Sequence, residues 1–309
     1  MHQQSVESSS DPCYTDWKNK IVELYQDDWW KQLKFHNKQS YKERHLKNTT
    51  PWYILTPQVV QLIFSISEML HQPPEVRYLT VEVLDRFLTN QYLQLHTYIW
   101  NKPGADSEHL QRQWDRIIKR VKHQLILRAM SCMQLASKLV NSSKTVTPVE
   151  IMNFLKQAGH DFTKQSIISS ERRVFKAIQF KVPLSHPLTY VECLIQRLSD
   201  PQVNVDLDSL YSISIKVLDV TYIRHQEIYL KLFHIITGRW EPTPRERHEF
   251  LSVECDNVYL ACAVIACAAD LSEANSKTVV TKLHQEAGIP LKDLESLTSI
   301  ITELILTEQ

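Results

Sequence analysis

The sequence predicts an all-α protein, and three observations carry that prediction. Only 4 of its 309 residues are glycine (Gly104, Gly159, Gly238 and Gly288), far below the roughly 7% of average usage, and sheet proteins need glycine for bulges and primed turns. Apolar residues recur at three- and four-residue intervals along most of the chain, the spacing of one helical face. Proline marks segment boundaries, as in Thr56-Pro57, Pro73-Pro74, Thr147-Pro148 and Val182-Pro183, where it opens or stops helices.

Taken in order, residues 1–14 are polar and Ser-rich and read as a disordered tail without apolar side chains to bury. Residues 15–34 form a first helix, in which Trp29-Trp30 adds bulk to the stripe Trp17, Ile21, Leu24, Tyr25, Leu33; that helix should lie against something larger. It and a linker fill 15–54. Thr56-Pro57 opens a helix to Leu70, and 75–93 presents one apolar face through Val76, Leu79, Val83, Leu84, Phe87 and Leu88. Residues 96–122 interrupt the pattern with Asn101-Lys102-Pro103-Gly104 and a basic stretch, and read as an inserted loop with a short surface helix. Residues 123–140 alternate small and large apolar residues, the signature of a central helix that neighbours approach closely. Thr147-Pro148-Val149-Glu150 is a capping box whose helix closes at Gly159, and 163–179 form the next helix.

The later half repeats the theme, with helices expected near 187–198, 206–234, 254–272, 276–287 and 290–306. Val83-Leu84-Asp85 recurs as Val217-Leu218-Asp219, a hint of a duplicated unit. Pro183 and Pro187 place the connector at 181–187. The chain therefore reads as two helical domains in tandem, 55–186 (with the 96–122 insertion) and 187–309.

Composition narrows the function. Lys plus Arg and Asp plus Glu both total 35, and zero net charge gives no support for nucleic acid as the main ligand. The six cysteines are dispersed without a CxxC pair, as reduced core cysteines are; with no signal-like segment and no long apolar run, an intracellular protein is expected. The glycines lie at least fifty residues apart, so no phosphate-cradling loop exists. His248-Glu249 lacks the second histidine of HExxH, and His225 has no ligand partner at i+4. No cofactor, no metal and no catalytic residue is expected, which leaves a protein that binds proteins.

LTVEVLDRFL at 79–88 closely resembles the second-helix motif of the cyclin box, MQLASKL at 133–139 its central helix, and SSERRVFKAIQFKV at 169–182 its fifth helix and exit. The resemblance covers 55–198 well and 199–309 loosely, which implies a cyclin fold whose second box is degenerate. It implies a cyclin-dependent kinase as partner, with no membrane and no direct nucleic acid, and, through a divergent branch of the family, nuclear, chromosome-associated work in meiotic crossover maturation. A kinase-independent scaffold or adaptor is the alternative.

Residue by residue, the resemblance implies a polar grip on the kinase by Lys138 and Glu171, within an apolar ring of Leu139, Phe175 and Phe180. Independently, Glu171 falls on the apolar stripe Ile167, Val174, Phe175, Ile178, and a carboxylate there wants a cation or donor. Asp85 and Arg86 match the family's structural Asp-Arg dipeptide, whose aspartate is held by an arginine of the first box helix; the aligned position is Thr56, so that donor is missing. Val140-Asn141 replaces the acidic pair that follows the central lysine, and Leu62 and Ser65 stand where substrate-docking cyclins carry tryptophan and glutamate.

Overall fold

The computed structural model describes residues 13–47, 49, 54–101, 106–183, 185–199, 205–272 and 275–307; the tail expected over 1–14 lies outside them as far as residue 12. Every regular element among the described residues is helical: α1 (Cys13–Lys47), α2 (Pro57–Met69), α3 (Pro74–Trp100), α4 (Ser107–His123), α5 (Leu125–Val140), α6 (Pro148–Gln157), α7 (Lys164–Ala177), α8 (Pro187–Arg197), α9 (Leu207–Ile223), α10 (His225–Thr237), α11 (Pro244–Glu254), α12 (Asn257–Leu271), α13 (Ser276–Ala287) and α14 (Leu291–Leu306).

Local chemistry starts and stops these helices. Thr147 accepts from the Glu150 amide while the Glu150 carboxylate accepts from the Thr147 amide at 2.7 Å, so the capping box forms as read. Thr56 sits at the N-cap of α2 but makes no side-chain cap; Pro57, with no N–H to satisfy, opens that helix instead. After α6 the chain turns through Gly159 at φ +79°, which glycine adopts without a Cβ clash.

Two helices organise the packing. On α5 every residue from Leu127 to Ser137 is buried, and it packs against α3, α6 and α7. On α12 Val258 to Ala269 are all buried, and its small Ala and Cys side chains let α8, α9, α13 and α14 close around it. Val76, Val83, Leu84 and Phe87 of α3 are fully enclosed, each worth about 1.5–3 kcal/mol on burial. One continuous apolar cluster runs from Trp30 to Leu304. Cys132, Cys193, Cys262 and Cys267 are free and buried in it, and Cys255 is free and buried beside α11.

Six elements depart from the sequence reading. α1 continues to Lys47 rather than ending near 34, and runs across the later helices: the Trp30 indole N–H donates to the Glu286 carbonyl at 3.3 Å, and the Asn37 amide donates to Asp256 at 2.8 Å. α3 extends to Trp100, and the segment read as a short surface helix is the 17-residue α4, with Leu110 buried and Trp114 edge-on to Tyr92 at 5.3 Å. The helix expected over 206–234 breaks at Arg224 into α9 and α10. α11 was not anticipated; it is mostly polar, with Leu251 its buried residue, so the apolar stripe that marks other helices is absent.

Candidate functional site

A groove of about 1310 Å³ opens between the second half of α1, α3, the end of α5, and α7 with the turn that follows it. Lys138, Leu139, Glu171, Phe175 and Phe180 all line it. The five residues drawn from two sequence-distant motifs are therefore neighbours on one surface.

Helix ends position them. Lys138 and Leu139 occupy the last turn of α5, beyond the buried run, and Leu139 is 60% exposed. Glu171 projects from α7 and pairs with the Lys138 ammonium; the lysine side chain is 45% exposed and the carboxylate 14%. The cation that Glu171 requires on its apolar stripe thus comes from within the chain. Phe175 meets Phe180 edge-on at 4.9 Å, a favoured aromatic geometry, yet Phe180 remains 62% exposed.

The turn carrying Phe180 is strained. The Phe180 amide donates to the Phe175 carbonyl at 3.0 Å and the Gln179 amide to the Lys176 carbonyl at 2.9 Å, the Schellman pattern that ends many helices. That pattern places glycine in the left-handed position, and here Gln179 and Phe180 take φ of +56° and +60°. Such conformations cost of order 1–3 kcal/mol each and persist where surrounding structure enforces them.

Asp85 and Arg86 form the frame behind the groove. Asp85 is fully buried, and its donor is Arg44 of α1, Nη2 to Oδ2 at 2.7 Å. The donor judged missing at Thr56 is supplied by a helix that the sequence reading ended ten residues too early. Arg86 donates to Glu43 of α1 at 2.7 Å and to the Lys181 carbonyl at 2.9 Å, while the Asn90 amide donates to the Ala177 carbonyl at 3.0 Å. One turn of α3 therefore holds both α1 and the exit of α7.

Beneath that frame lie Glu82, Glu254 and His225, which also line the groove. Burial raises the Glu82 carboxyl to about 7 against the pull of Arg44, and the Tyr222 hydroxyl donates to it at 3.1 Å. Burial likewise raises Glu254 to about 7. Burial, followed by the Arg44 charge, lowers His225 to about 3 and keeps its imidazole neutral. Among the described residues, no group of three His, Cys, Asp or Glu side chains is arranged to hold a metal.

The contribution of α1 escaped sequence reasoning. His36, Gln39, Ser40, Glu43, Arg44 and Lys47 line the groove, and their three- and four-residue spacing is a helical face made of polar side chains, which an apolar-periodicity search passes over. Leu62 and Ser65 are exposed on α2 and line no part of this groove.

Comparison with known proteins gives this geometry its family. Cyclin N-terminal domain-containing protein 1 of Homo sapiens is 30% identical over 239 residues, 77% of this chain and 72% of the relative. The Mus musculus protein of the same name is 30% identical over 249 residues, 80% of this chain and 71% of the relative. Residues 25–183 match the family described as "Cyclin, N-terminal domain", a span reaching from α1 through the frame and the grip to the exit of α7, and the chain therefore belongs to the cyclin family.

Proposed function

We propose that this chain is a non-catalytic regulatory subunit that seats a helix of a cyclin-dependent kinase in the groove. The observation that carries the reading is the pair of exposed apolar side chains, Leu139 and Phe180, flanking the Lys138–Glu171 ion pair on a concave surface. Apolar anchors around a central polar pair are what a protein interface uses. Binding the kinase in one arrangement of its C-helix more tightly than in the other shifts the kinase toward the state in which its catalytic Lys and Glu meet. The family resemblance supports nuclear work in meiotic recombination and crossover maturation, to be tested by imaging tagged protein on meiotic chromosomes.

A scaffold or adaptor reading draws on one specific observation. Lys138 and Glu171 satisfy each other, and Val140-Asn141 replaces the acidic pair, so the polar grip can be complete without a kinase.

The test is paired. Phe175→Ala removes an interface aromatic and should weaken kinase capture by about 2 kcal/mol, roughly thirtyfold. Lys138→Glu and Glu171→Lys should abolish capture while shifting Tm by no more than a degree or two, because a partly exposed pair contributes about 0–1 kcal/mol to folding. Stable variants that still retain the kinase would transfer the assignment to the scaffold.

A further inference from the structure

α4 carries five cations, Arg112, Arg116, Lys119, Arg120 and Lys122. Arg116, Lys119, Arg120 and Lys122 are exposed, and none has an ion-pair partner among the described residues; only Arg112 reaches a carboxylate, Glu108 at 3.6 Å, with both side chains well exposed. At 3.6 residues per turn, Arg112, Arg116, Lys119, Arg120 and His123 fall within about 100° of arc, along roughly 16 Å of helix.

The opposite face of α4 is already occupied. Leu110 is buried, Trp114 packs on Tyr92, and Val121 joins the core. The helix therefore has no free apolar face to insert into a lipid surface, and its cationic stripe is what it offers.

A further cation lies on the next helix. Arg128, in the first turn of α5, is 5% exposed, and its guanidinium donates to the Ser170 hydroxyl at 2.5 Å and the Gln124 side-chain carbonyl at 2.7 Å. Both partners are neutral. Burial, then the neighbouring Arg173 charge, lowers its hold on the proton. A buried cation ordinarily has a counter-ion, and no ion pair holds Arg128 among the described residues.

We propose that the exposed face of α4 is a docking surface for the phosphate backbone of a nucleic acid. Charge complementarity carries the assignment, and two details favour phosphates over an acidic polypeptide. Arginine predominates, and its planar fork matches phosphate oxygens. A phosphate backbone presents one charge per strand every 3.4 Å or so, and fills such a stripe in any register, whereas an extended peptide must bring carboxylates to one side at about 6.7 Å intervals. The zero net charge of the chain conceals this surface, because Glu108 and Asp115 offset only part of the five cations of α4.

The experiment is fluorescence anisotropy of the full chain with a labelled mixed-sequence 30-base-pair duplex between 50 and 200 mM salt. Four phosphate contacts predict a log–log salt slope of about −3.6, a roughly hundredfold loss of affinity over that range. The variant carrying Arg112→Gln, Arg116→Gln, Lys119→Gln and Arg120→Gln should lose nearly all of that slope with an unchanged melting curve. If it fails to fold, Arg116→Gln with Lys119→Gln alone must flatten the slope by about 1.8. Absence of duplex binding at 50 mM salt, or an unchanged slope in the variants, overturns the proposal. Displacement of the duplex by poly-glutamate at equal charge concentration also overturns it, and assigns the face to an acidic protein segment.

Discussion

Replacing Asp85 by alanine tests whether α1 is pinned to the frame by charge. The substitution leaves Arg44 without its carboxylate in a site where the aspartate side chain is 1% exposed and the arginine 20%. Removing one partner of a buried pair costs about 3–5 kcal/mol, and the partial exposure of Arg44 together with the nearby Glu82 carboxyl puts the cost near 3. Unfolding entropy of about 2.1 cal/mol/K per residue gives roughly 0.65 kcal/mol/K for a chain of this length, so Tm should fall by about 5 °C. Asp85→Asn keeps an acceptor and loses only the charge, and should fall about half as far. Arg44→Ala removes the cation of the ion pair from the buried Asp85 and its pull on Glu82, and should be the most damaging, at about 4–5 kcal/mol and 7 °C. Melting curves of the three variants in one buffer supply the check. A shift below 1 °C for Asp85→Ala, or Arg44→Ala proving milder than Asp85→Ala, would refute the pinning argument.

Three further outcomes are expected. Gln179→Gly should raise stability by about 0.5–1 kcal/mol, read as a higher Tm, because it relieves a left-handed φ of +56° at a helix end that favours glycine. Glu82 titrates near 7 in the folded chain, above its unfolded value of about 4.5, so the folded state binds the proton more tightly; its contribution is complete below pH 4.5 and disappears as pH rises through 7. Wild-type Tm should accordingly fall by a few degrees relative to Glu82→Gln between pH 5 and 8, and parallel curves would contradict the buried-acid assignment. Replacing 102–122 by a short Gly/Ser linker should lower Tm by several degrees, since closing the shorter loop changes little while the buried Leu110 and the Trp114–Tyr92 packing are lost, at about 2 kcal/mol for the leucine alone; an unchanged Tm would make α4 a dispensable excursion.

What was legible in the sequence followed the physics of each signal. α2, α6 and α7 announce themselves through an apolar face and a proline or threonine at the start, and α5 through its run of small and large apolar residues. The grip residues were legible through motif resemblance, and Glu171 through its misfit on an apolar stripe. α11 carries a capping box at Thr243 and Glu246 that forms in the structure, but without an apolar stripe behind it the cap alone drew no helix. The Arg224 break between α9 and α10 involves neither glycine nor proline, and no local rule finds it. Arg44 was invisible as the donor to Asp85 because the pairing spans 41 residues and begins on a polar stretch of α1 whose partners are set by packing rather than by neighbours in sequence.

The path of α1 also sets an order of events during synthesis. Its Trp30 indole N–H reaches a carbonyl 256 residues later, at Glu286, and Asn37 meets Asp256 across 219 residues. At about 5–20 residues per second on the ribosome, this helix emerges roughly 10–50 s before the surfaces it rests on exist. The half of α1 around Trp30 and Asn37 therefore has nothing to rest on until the later helices emerge, whereas Glu43 and Arg44 can already meet Arg86 and Asp85 of α3, so the groove wall is anchored at one end well before the other.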